Sequence, residues 1–174
     1  MTAHGMALYA AHHVGDYWVQ TDHQAAHKGA AGKEGSWACT KHVVTYTATQ
    51  AAFLALECAV TGRRPGLGRA ALALGVSALT HYAADRRDHG LMVKLAKRIP
   101  GKAKFLRLGV PRAGARDVML RYPDMYGEGE RAEHRRVAFD DNPSLGTGSW
   151  ALDQSWHIAL GVFLPALILE GKER

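Results

Sequence analysis

The chain has 174 residues, of which 47% are hydrophobic, so it is long and apolar enough for one domain with a sizeable core, which argues against an intrinsically disordered protein. Its formal net charge of +6 indicates an anionic partner, such as a nucleotide, a nucleic acid or a lipid surface, without choosing among them. Aromatic residues make up only 8% of the chain and alanine and glycine are abundant, which favours closely packed helices and predicts an all-α protein.

The first predicted helix runs from about His4 to Lys28. Polar residues recur along it at spacings of three or four and would form one stripe: His12, Asp16, Gln20, His23 and His27. Both His12 and His13 lie within reach of Asp16, but neighbouring side chains on a helix diverge by about 100°. The pattern alone therefore leaves open which of these two histidines faces inward.

A second helix is predicted from Ser36, a suitable N-cap, to Thr61, after a loop that contains Gly29, Gly32 and Gly35. Its polar residues His42, Tyr46 and Gln50 repeat every four positions. Cys39 and Cys58 both fall on this helix, about 28 Å apart, so an intramolecular disulfide between them is excluded. Two reduced cysteines are consistent with a cytoplasmic protein.

A third helix is predicted from about Arg69 to His89, with His81 and Asp85 near its end, and a short helix from Leu91 to Arg98. From residue 110 to residue 148 the periodicity disappears, apart from a short predicted helix around Ala113 to Leu120. We expect this segment to be an irregular insertion within a single helical domain, and its second part to be a loop that could cover a site.

The last predicted helix runs from Ser149 or Trp150 to Glu170, with Asp153 and His157 near its start. The longest apolar run, Ile158 to Leu169, has twelve residues and contains a proline. Because a membrane span needs about 20 residues, this run predicts a buried or interfacial helix. The expected architecture is thus four main helices in a bundle, with peripheral membrane contact left open.

Histidine and aspartate recur four residues apart on three of these helices, as the pairs His12 and Asp16, His81 and Asp85, and Asp153 and His157. One such pair alone is usually a local ion pair on a helix surface. Three pairs embedded among apolar residues would face a common interior, where ionisable groups are costly unless they are paired or bind a cation. The pairs therefore predict a shared polar layer, and a metal is its simplest explanation.

The segment from His12 to Gln20, His42, the segment from His81 to Asp85 and that from Asp153 to His157 resemble a family of uncharacterised small bacterial and phage proteins. That family has His-x-x-Gly-Asp-aromatic-x-x-Gln, His-x-x-x-Asp and Asp-Gln-x-x-His motifs. The chain is also loosely similar to predicted membrane-bound metal-dependent hydrolases. The resemblance implies this shared polar set and favours His13 over His12: His13, Asp16, Gln20, His42, His81, Asp85, Asp153 and His157.

Two departures from that family are visible in the sequence. Many of its members look membrane-embedded, whereas this chain has no convincing span in its sequence, and the long charged insertion before Asp153 is not a general feature. The family has no settled activity, so the resemblance implies a site and not a substrate.

Histidine and carboxylate are the ligands of Zn, Mn and Fe sites, and the absence of a cysteine cluster argues against a structural zinc finger. We expect one or two divalent ions, with Asp16, Asp85 and Asp153 as ligands, as partners that orient the histidines, or as the general base. The predicted metal ligands are His13, Asp16, His42, His81, Asp85, Asp153 and His157. The predicted substrate-binding residues are Gln20, Lys28, Arg86 and Arg87.

The leading hypothesis is a metal-dependent hydrolase that acts on a phosphoester or a nucleotide, since a bound metal activates water and polarises a phosphoryl oxygen. No P-loop and no Gly-x-Ser-x-Gly element occurs in the sequence. The alternative is a non-enzymatic protein of phage or mobile-element type that binds nucleic acid or a membrane surface. In that case the His/Asp layer only stabilises helix packing, and the basic connector between the third and last helices binds the anionic nucleic acid or membrane surface.

Overall fold

The computed structural model of the chain describes residues 2–86, 89–108, 116–123, 130–137 and 148–170, the two strand segments by their backbone alone. The helices are α1 Ala3–Val14, α2 Asp22–His27, α3 Gly32–Thr61, α4 Leu67–Asp85, α5 Leu91–Arg98, α6 Lys102–Phe105, α7 Gly148–Trp156 and α8 Leu164–Glu170. Two π-helical segments, Gly15–Val19 and His157–Phe163, extend α1 and join α7 to α8. The prediction of an all-α protein is confirmed, apart from one ribbon of two strands, β1 Arg116–Pro123 and β2 Glu130–Val137.

Four long elements pack together, namely α1, α3, α4 and the last helix, Gly148–Glu170, and we call them the helical body. α3 packs against both α1 and α4, and the last helix packs against α4 and α1. Small and branched apolar residues fill the space between them, which allows close approach of the helices. The buried residues of this core are Leu8, Leu54, Ala73, Val162, Ala166 and Leu169.

The prediction of one helix from His4 to Lys28 is wrong, because the chain breaks at Gln20 and Thr21. The backbone of Gln20 is extended, with ψ of 129°, and Thr21 starts α2 as its N-cap. A reciprocal pair of hydrogen bonds between Thr21 and Gln24 satisfies the free amides of this new helix start. The predicted polar stripe is therefore interrupted, and His23 and His27 belong to the separate helix α2.

The other helices agree with the prediction except at their ends. α3 begins one turn earlier than expected, at Gly32, and ends as predicted at Thr61, where Gly62 adopts a left-handed φ of 73°. α4 begins at Leu67 and ends at Asp85 rather than at His89. α5 has the predicted bounds, Leu91–Arg98.

The segment from residue 110 to residue 148 is not wholly irregular, contrary to the prediction. β1 and β2 pair in an antiparallel ribbon in which Arg116 lies opposite Val137 and Pro123 opposite Glu130. The predicted helix around Ala113 to Leu120 is wrong, because its described residues belong to β1. Val118, Leu120 and Tyr122 are apolar or aromatic residues two positions apart, which is the period-two pattern of a strand. Residues 109–115, 124–129 and 138–147 lie outside the described part of the chain.

The last helix continues through Pro165 to Glu170, as predicted. A proline has no N–H to donate to the carbonyl four residues earlier, here that of Gly161. This carbonyl instead accepts hydrogen bonds from Ser77 Oγ at 2.7 Å and from Gln50 Nε2 at 3.4 Å. The π-helical segment and these two side chains from neighbouring helices let the chain pass the proline without a break.

Two described helices, α3 with 30 residues and the last helix with 23, are long and apolar enough to cross a membrane by length and composition. The twelve-residue run from Ile158 to Leu169 lies within the last helix, which as a whole has the length of a membrane span. Membrane association is compatible with this finding, and the predicted cytoplasmic location stays a prediction.

Candidate metal centre

Histidine and aspartate side chains from all four elements of the helical body meet at one place. α1 and the π-helical turn after it each contribute one of these side chains, α3 contributes one, and α4 and the last helix contribute a His/Asp pair each. Each histidine of this set is buried and at most 1% of its surface is exposed. The set consists of His12, Asp16, His42, His81, Asp85, Asp153 and His157, and we call it the His/Asp centre.

Four of its atoms converge on one point. The Nε2 atoms of His42 and His81 lie 2.9 Å apart. Asp16 Oδ1 is 3.3 Å from each of these nitrogens, and Asp85 Oδ2 is 3.1 Å from each of them. Each carboxylate oxygen therefore contacts the same pair of imidazole nitrogens, and we call the position among these four donors, which come from three separate helical elements, the convergence point.

These distances match the spacing of ligands around a small divalent ion. Ligands at about 2.0–2.1 Å from a tetrahedral zinc ion stand about 3.3 Å from one another. Neither Asp16 Oδ1 nor Asp85 Oδ2 has a hydrogen-bond partner, although both oxygens are buried. A buried carboxylate oxygen without a hydrogen bond is costly, and its favourable partner at this position is a cation, which the imidazoles of His42 and His81 supply when protonated and a metal ion supplies when they are neutral. The donor set thus could hold a metal ion.

The carboxylate of Asp16 stays ionised in this environment. Burial alone raises the pKa of Asp16, but the neighbouring imidazoles of His42 and His81 outweigh it, and the net pKa lies below its ordinary value. A permanent negative charge at the convergence point favours binding of a cation.

A second group of donors lies beside the first, around His157. The Nδ1 atom of His157 donates to the backbone carbonyl of Asp153 at 2.8 Å, which leaves its Nε2 with a free lone pair. That Nε2 is buried, has no hydrogen-bond partner and lies 3.9 Å from Asp85 Oδ1. Donor atoms of Asp85, Asp153 and His157 all lie within 4.8 Å of one another. Asp85 therefore faces both groups, one oxygen toward each.

His12 is the α1 histidine that belongs to the centre. Its Nδ1 is 3.5 Å from Asp16 Oδ2 and 3.3 Å from the hydroxyl of Tyr46, while its Nε2 has no hydrogen-bond partner. Its ring stacks on that of His157 with centroids 5.4 Å apart. The unpaired Nε2 atoms of His12 and His157 thus belong to adjacent rings in the same buried layer.

The structure does not bring His13, which was predicted as a ligand, to the aspartates of the centre. Its ring lies half-buried between those of Tyr9 and Tyr17, at centroid distances of 4.7 and 5.8 Å, and makes no ion pair with an aspartate of the centre. One step along a helix turns a side chain by about 100°, so only one of two adjacent histidines can face inward. The His-x-x-Gly-Asp spacing gives the correct residue, because counting back from Gly15 leads to His12.

Lys28 and Gln20, both predicted as substrate-binding, lie at the open side of the centre. Lys28 Nζ is 2.9 Å from Asp85 Oδ1, and its side chain is 12% exposed. With its amide oriented to satisfy both neighbours, Gln20 accepts from Lys28 Nζ at 2.9 Å and donates to the backbone carbonyl of Asp16 at 3.1 Å. A cationic group is therefore held at the edge of the carboxylates.

Arg86 does not bind at this open side, contrary to the prediction. Its guanidinium is buried and Nη1 donates to the backbone carbonyl of Lys28 at 2.9 Å. Arg86 therefore fixes the backbone position of Lys28 through this hydrogen bond. The predicted Arg87 lies outside the described residues.

A cavity of about 400 Å³ opens next to the centre. Asp16, Asp85 and Asp153 form its acidic wall and Lys28 its basic edge. The lining also has an apolar part that includes Met92 of α5 and Trp150 of α7, neither of which was predicted as a site residue. A cavity of this volume accommodates a small ligand that carries both a charged and an apolar part.

Gly15 lets the π-helical turn approach α3 closely enough to build the centre. A Cβ atom at this position would lie 2.8 Å from Cδ2 of Tyr46. The Tyr46 ring cannot easily move away, since it stacks on His81 with centroids 3.7 Å apart. The glycine before Asp16 is thus a packing requirement of the centre itself.

We expect Gly15→Ala to lower the free energy of unfolding by about 1–3 kcal/mol, the usual cost of forcing an extra methyl group into a packed interior. Gly75→Ala is the matched control, because an added Cβ there has no neighbour within 4 Å. That control should leave the stability unchanged or raise it by up to about 1 kcal/mol, as alanine favours the helix. Thermal or chemical unfolding of the purified variants measures both, and equal stabilities would contradict this account of Gly15.

Comparison of the chain with protein-family models, with curated proteins and with solved structures finds no match. The argument for its function therefore rests on the His/Asp centre and the cavity beside it.

Proposed function

We propose that the protein is a metal-dependent hydrolase that acts on a phosphoester or a nucleotide. The observation that carries this proposal is the convergence of His42 Nε2, His81 Nε2, Asp16 Oδ1 and Asp85 Oδ2 on one point, beside a cavity with a lysine at its edge. This mixture of nitrogen and oxygen donors suits Zn, Mn or Fe. The proposal agrees with the resemblance to predicted metal-dependent hydrolases noted from the sequence.

We further propose that the centre takes two ions. The first position is the convergence point, and the second is the group of Asp85, Asp153 and His157, whose donor atoms lie within 4.8 Å of one another, with the ring of His12 stacked on that of His157. Asp85 would bridge the two positions, because its two oxygens face different histidines. Seven donor residues exceed the needs of one tetrahedral ion, which supports this assignment.

A bound metal supplies a water molecule of lowered pKa and polarises the phosphoryl oxygen of a substrate. The chain itself supplies the other parts. Lys28 faces the cavity with a positive charge that suits a phosphate oxygen of an anionic substrate. If the centre takes only one ion, Asp153 is our candidate for the general base, since its carboxylate is 26% exposed and lines the cavity. The apolar wall with Met92 and Trp150 would receive the base or another apolar part of the substrate.

Elemental analysis by plasma mass spectrometry of untagged protein, purified without a chelator, tests the metal. We expect Zn, Mn or Fe in near-stoichiometric amount, and two equivalents at saturation. The same preparation is then assayed for release of phosphate from nucleotides and of nitrophenol from p-nitrophenyl phosphate and its diester. Treatment with EDTA should abolish this hydrolysis, and addition of the metal should restore it.

Protein that contains no metal and takes up none on addition would contradict the metal site. Metal-loaded protein that hydrolyses none of these esters would contradict the proposed hydrolase activity but not the proposed metal site. In the first case the centre is a packed polar layer, and strongly salt-dependent binding of nucleic acid becomes the property to measure.

A further inference from the structure

The outward face of α3 is apolar along most of its length. Its exposed residues between Val44 and Val60 are alanine, valine and leucine, spaced as one stripe along the helix. The one charged residue between Lys41 and Gly62 is Glu57, which turns inward and pairs with His4 of α1. An amphipathic helix at the surface of a water-soluble protein carries charged and polar residues on this face.

The other elements of the helical body continue this apolar surface. Leu72 and Leu79 of α4 are exposed, the latter by 74%, and so are Phe163 and Leu167 of the last helix. Of the 18 most apolar consecutive residues of α3 only 22% are buried, and of those of the last helix 33%. A helix of this length and composition in the core of a soluble protein would be mostly buried. The described helices therefore leave a broad apolar belt uncovered, far beyond scattered single residues.

The dimensions of the belt suit a bilayer. At about 1.5 Å per residue, the apolar stripe of α3 from Val44 to Val60 is about 25 Å long, close to the thickness of about 30 Å of the hydrocarbon core of a bilayer. The backbone of this surface is helical, and the Gly161 carbonyl that Pro165 leaves without an N–H accepts from Ser77 and Gln50, as a lipid environment requires.

Tryptophans mark one end of the belt. Trp18 in the turn after α1, Trp37 in the first turns of α3 and Trp150 at the start of α7 are all more than half exposed. These three positions share the end of the helical body that carries the His/Asp centre. Tryptophan is enriched where a membrane protein meets the headgroups, because its ring is apolar and its N–H is polar.

Basic residues flank the belt at both ends. Arg63 and Arg64 follow α3 at one end. Lys33 and Lys41 lie at the other end, where Lys41 Nζ sits 5.2 Å over the Trp37 ring. α5, which packs near that end, exposes Lys94 and Leu95 side by side. Positive charge at the rims of an apolar belt complements anionic headgroups, and it fits a bilayer better than a second copy of this basic chain.

We propose that the helical body is embedded in a lipid bilayer, with the apolar belt in the hydrocarbon region and the His/Asp centre at the level of the headgroups. This proposal is independent of the hydrolase, since it rests on the outer face of the helices and not on the centre.

Membrane fractionation of cells that express the full untagged chain tests it. We expect the protein in the membrane pellet, resistant to washes with high salt and with alkaline sodium carbonate, and extracted by detergent. After reconstitution in vesicles of phosphatidylcholine and phosphatidylglycerol, lipids brominated along the acyl chain should quench its tryptophan fluorescence most strongly when the bromine lies near the headgroup.

Two outcomes would overturn the proposal. Release by salt or carbonate would show attachment at the surface only. A soluble protein without detergent would exclude insertion, and size-exclusion chromatography would then tell whether a second copy covers the belt.

A matched pair of variants tests the position of the belt. Leu72→Lys puts a charge on the belt nine residues away from His81, about 13 Å along α4, and Leu91→Lys makes the same change at an exposed residue of α5 outside the belt. In a bilayer the first variant should lose most of its membrane-inserted yield and the second should behave as the wild type. If water covers the belt, both lysines are harmless, and equal wild-type-like yields and distributions of the two variants would refute the proposal.

Discussion

Replacing His81 with alanine is expected to remove the metal and the activity together, while the far-ultraviolet circular dichroism stays close to that of the wild type. The imidazole supplies one of the four donors at the convergence point, with its Nε2 3.1 Å from Asp85 and 3.3 Å from Asp16. Changing a residue that merely supports a metal ligand costs 10–100-fold in affinity, so loss of a ligand should cost more than about 100-fold. Elemental analysis and a metal titration measure the loss.

His13→Ala is the control for this experiment. It removes the same side chain from a half-buried position that contacts Tyr9 and Tyr17 and, of the centre, only the ring of His12, at a centroid distance of 5.1 Å. We expect its metal content and rate of hydrolysis to match those of the wild type, whereas His12→Ala should lower the occupancy of the second position. Normal metal content in His81→Ala, or a loss in His13→Ala equal to that in His12→Ala, would refute the assignment of ligands.

The sequence predicted the pairs of the centre because their spacing is a property of the helix alone. His81 and Asp85, and likewise Asp153 and His157, face the same way wherever a helix forms, since four residues make about one turn. Whether the two pairs meet depends on the packing of α4 against the last helix. In the sequence, only the apolar residues around each pair indicated that both face a common interior. The choice between His12 and His13 depends on the rotation of α1, which periodicity could not fix.

Other parts of the fold depend on contacts that local patterns do not carry. The break after the π-helical turn comes from the capping pair of Thr21 and Gln24, which competes with continuation of the helix. The passage of the last helix through Pro165 depends on Ser77 and Gln50, donors from two other helices. Arg86 was assigned to substrate because it directly follows Asp85 and its charge suits a phosphate, yet it contacts the backbone of Lys28, 58 residues away in the sequence.

Asp85→Asn is expected to empty both metal positions, because this carboxylate is the group that both share. One oxygen lies 3.1 Å from His42 and from His81, and the other lies 2.9 Å from Lys28 and 3.9 Å from His157. Asparagine keeps the shape but is neutral, and its NH₂ group presents a donor where a cation or an ammonium group needs an acceptor. We expect no metal above background and a fall in kcat/KM of at least about a thousandfold, that is about 4 kcal/mol of transition-state stabilisation. The control, Asp22→Asn on the exposed start of α2, should change neither quantity.

Comparison of Asp85→Asn with Asp153→Asn separates a centre of two ions from a centre of one. Asp153 reaches only the His157 side, with Oδ2 3.4 Å from Nδ1, and makes no ion pair with His42 or His81. With two ions, Asp153→Asn should keep the ion at the convergence point and lose the other, so that its metal content falls to half of the wild-type value while hydrolysis is almost abolished. With one ion, Asp153→Asn should retain the full metal content, and its loss of activity would then reflect the missing general base. Metal content near zero in this variant would contradict both arrangements, because it would make Asp153 a ligand of the first position.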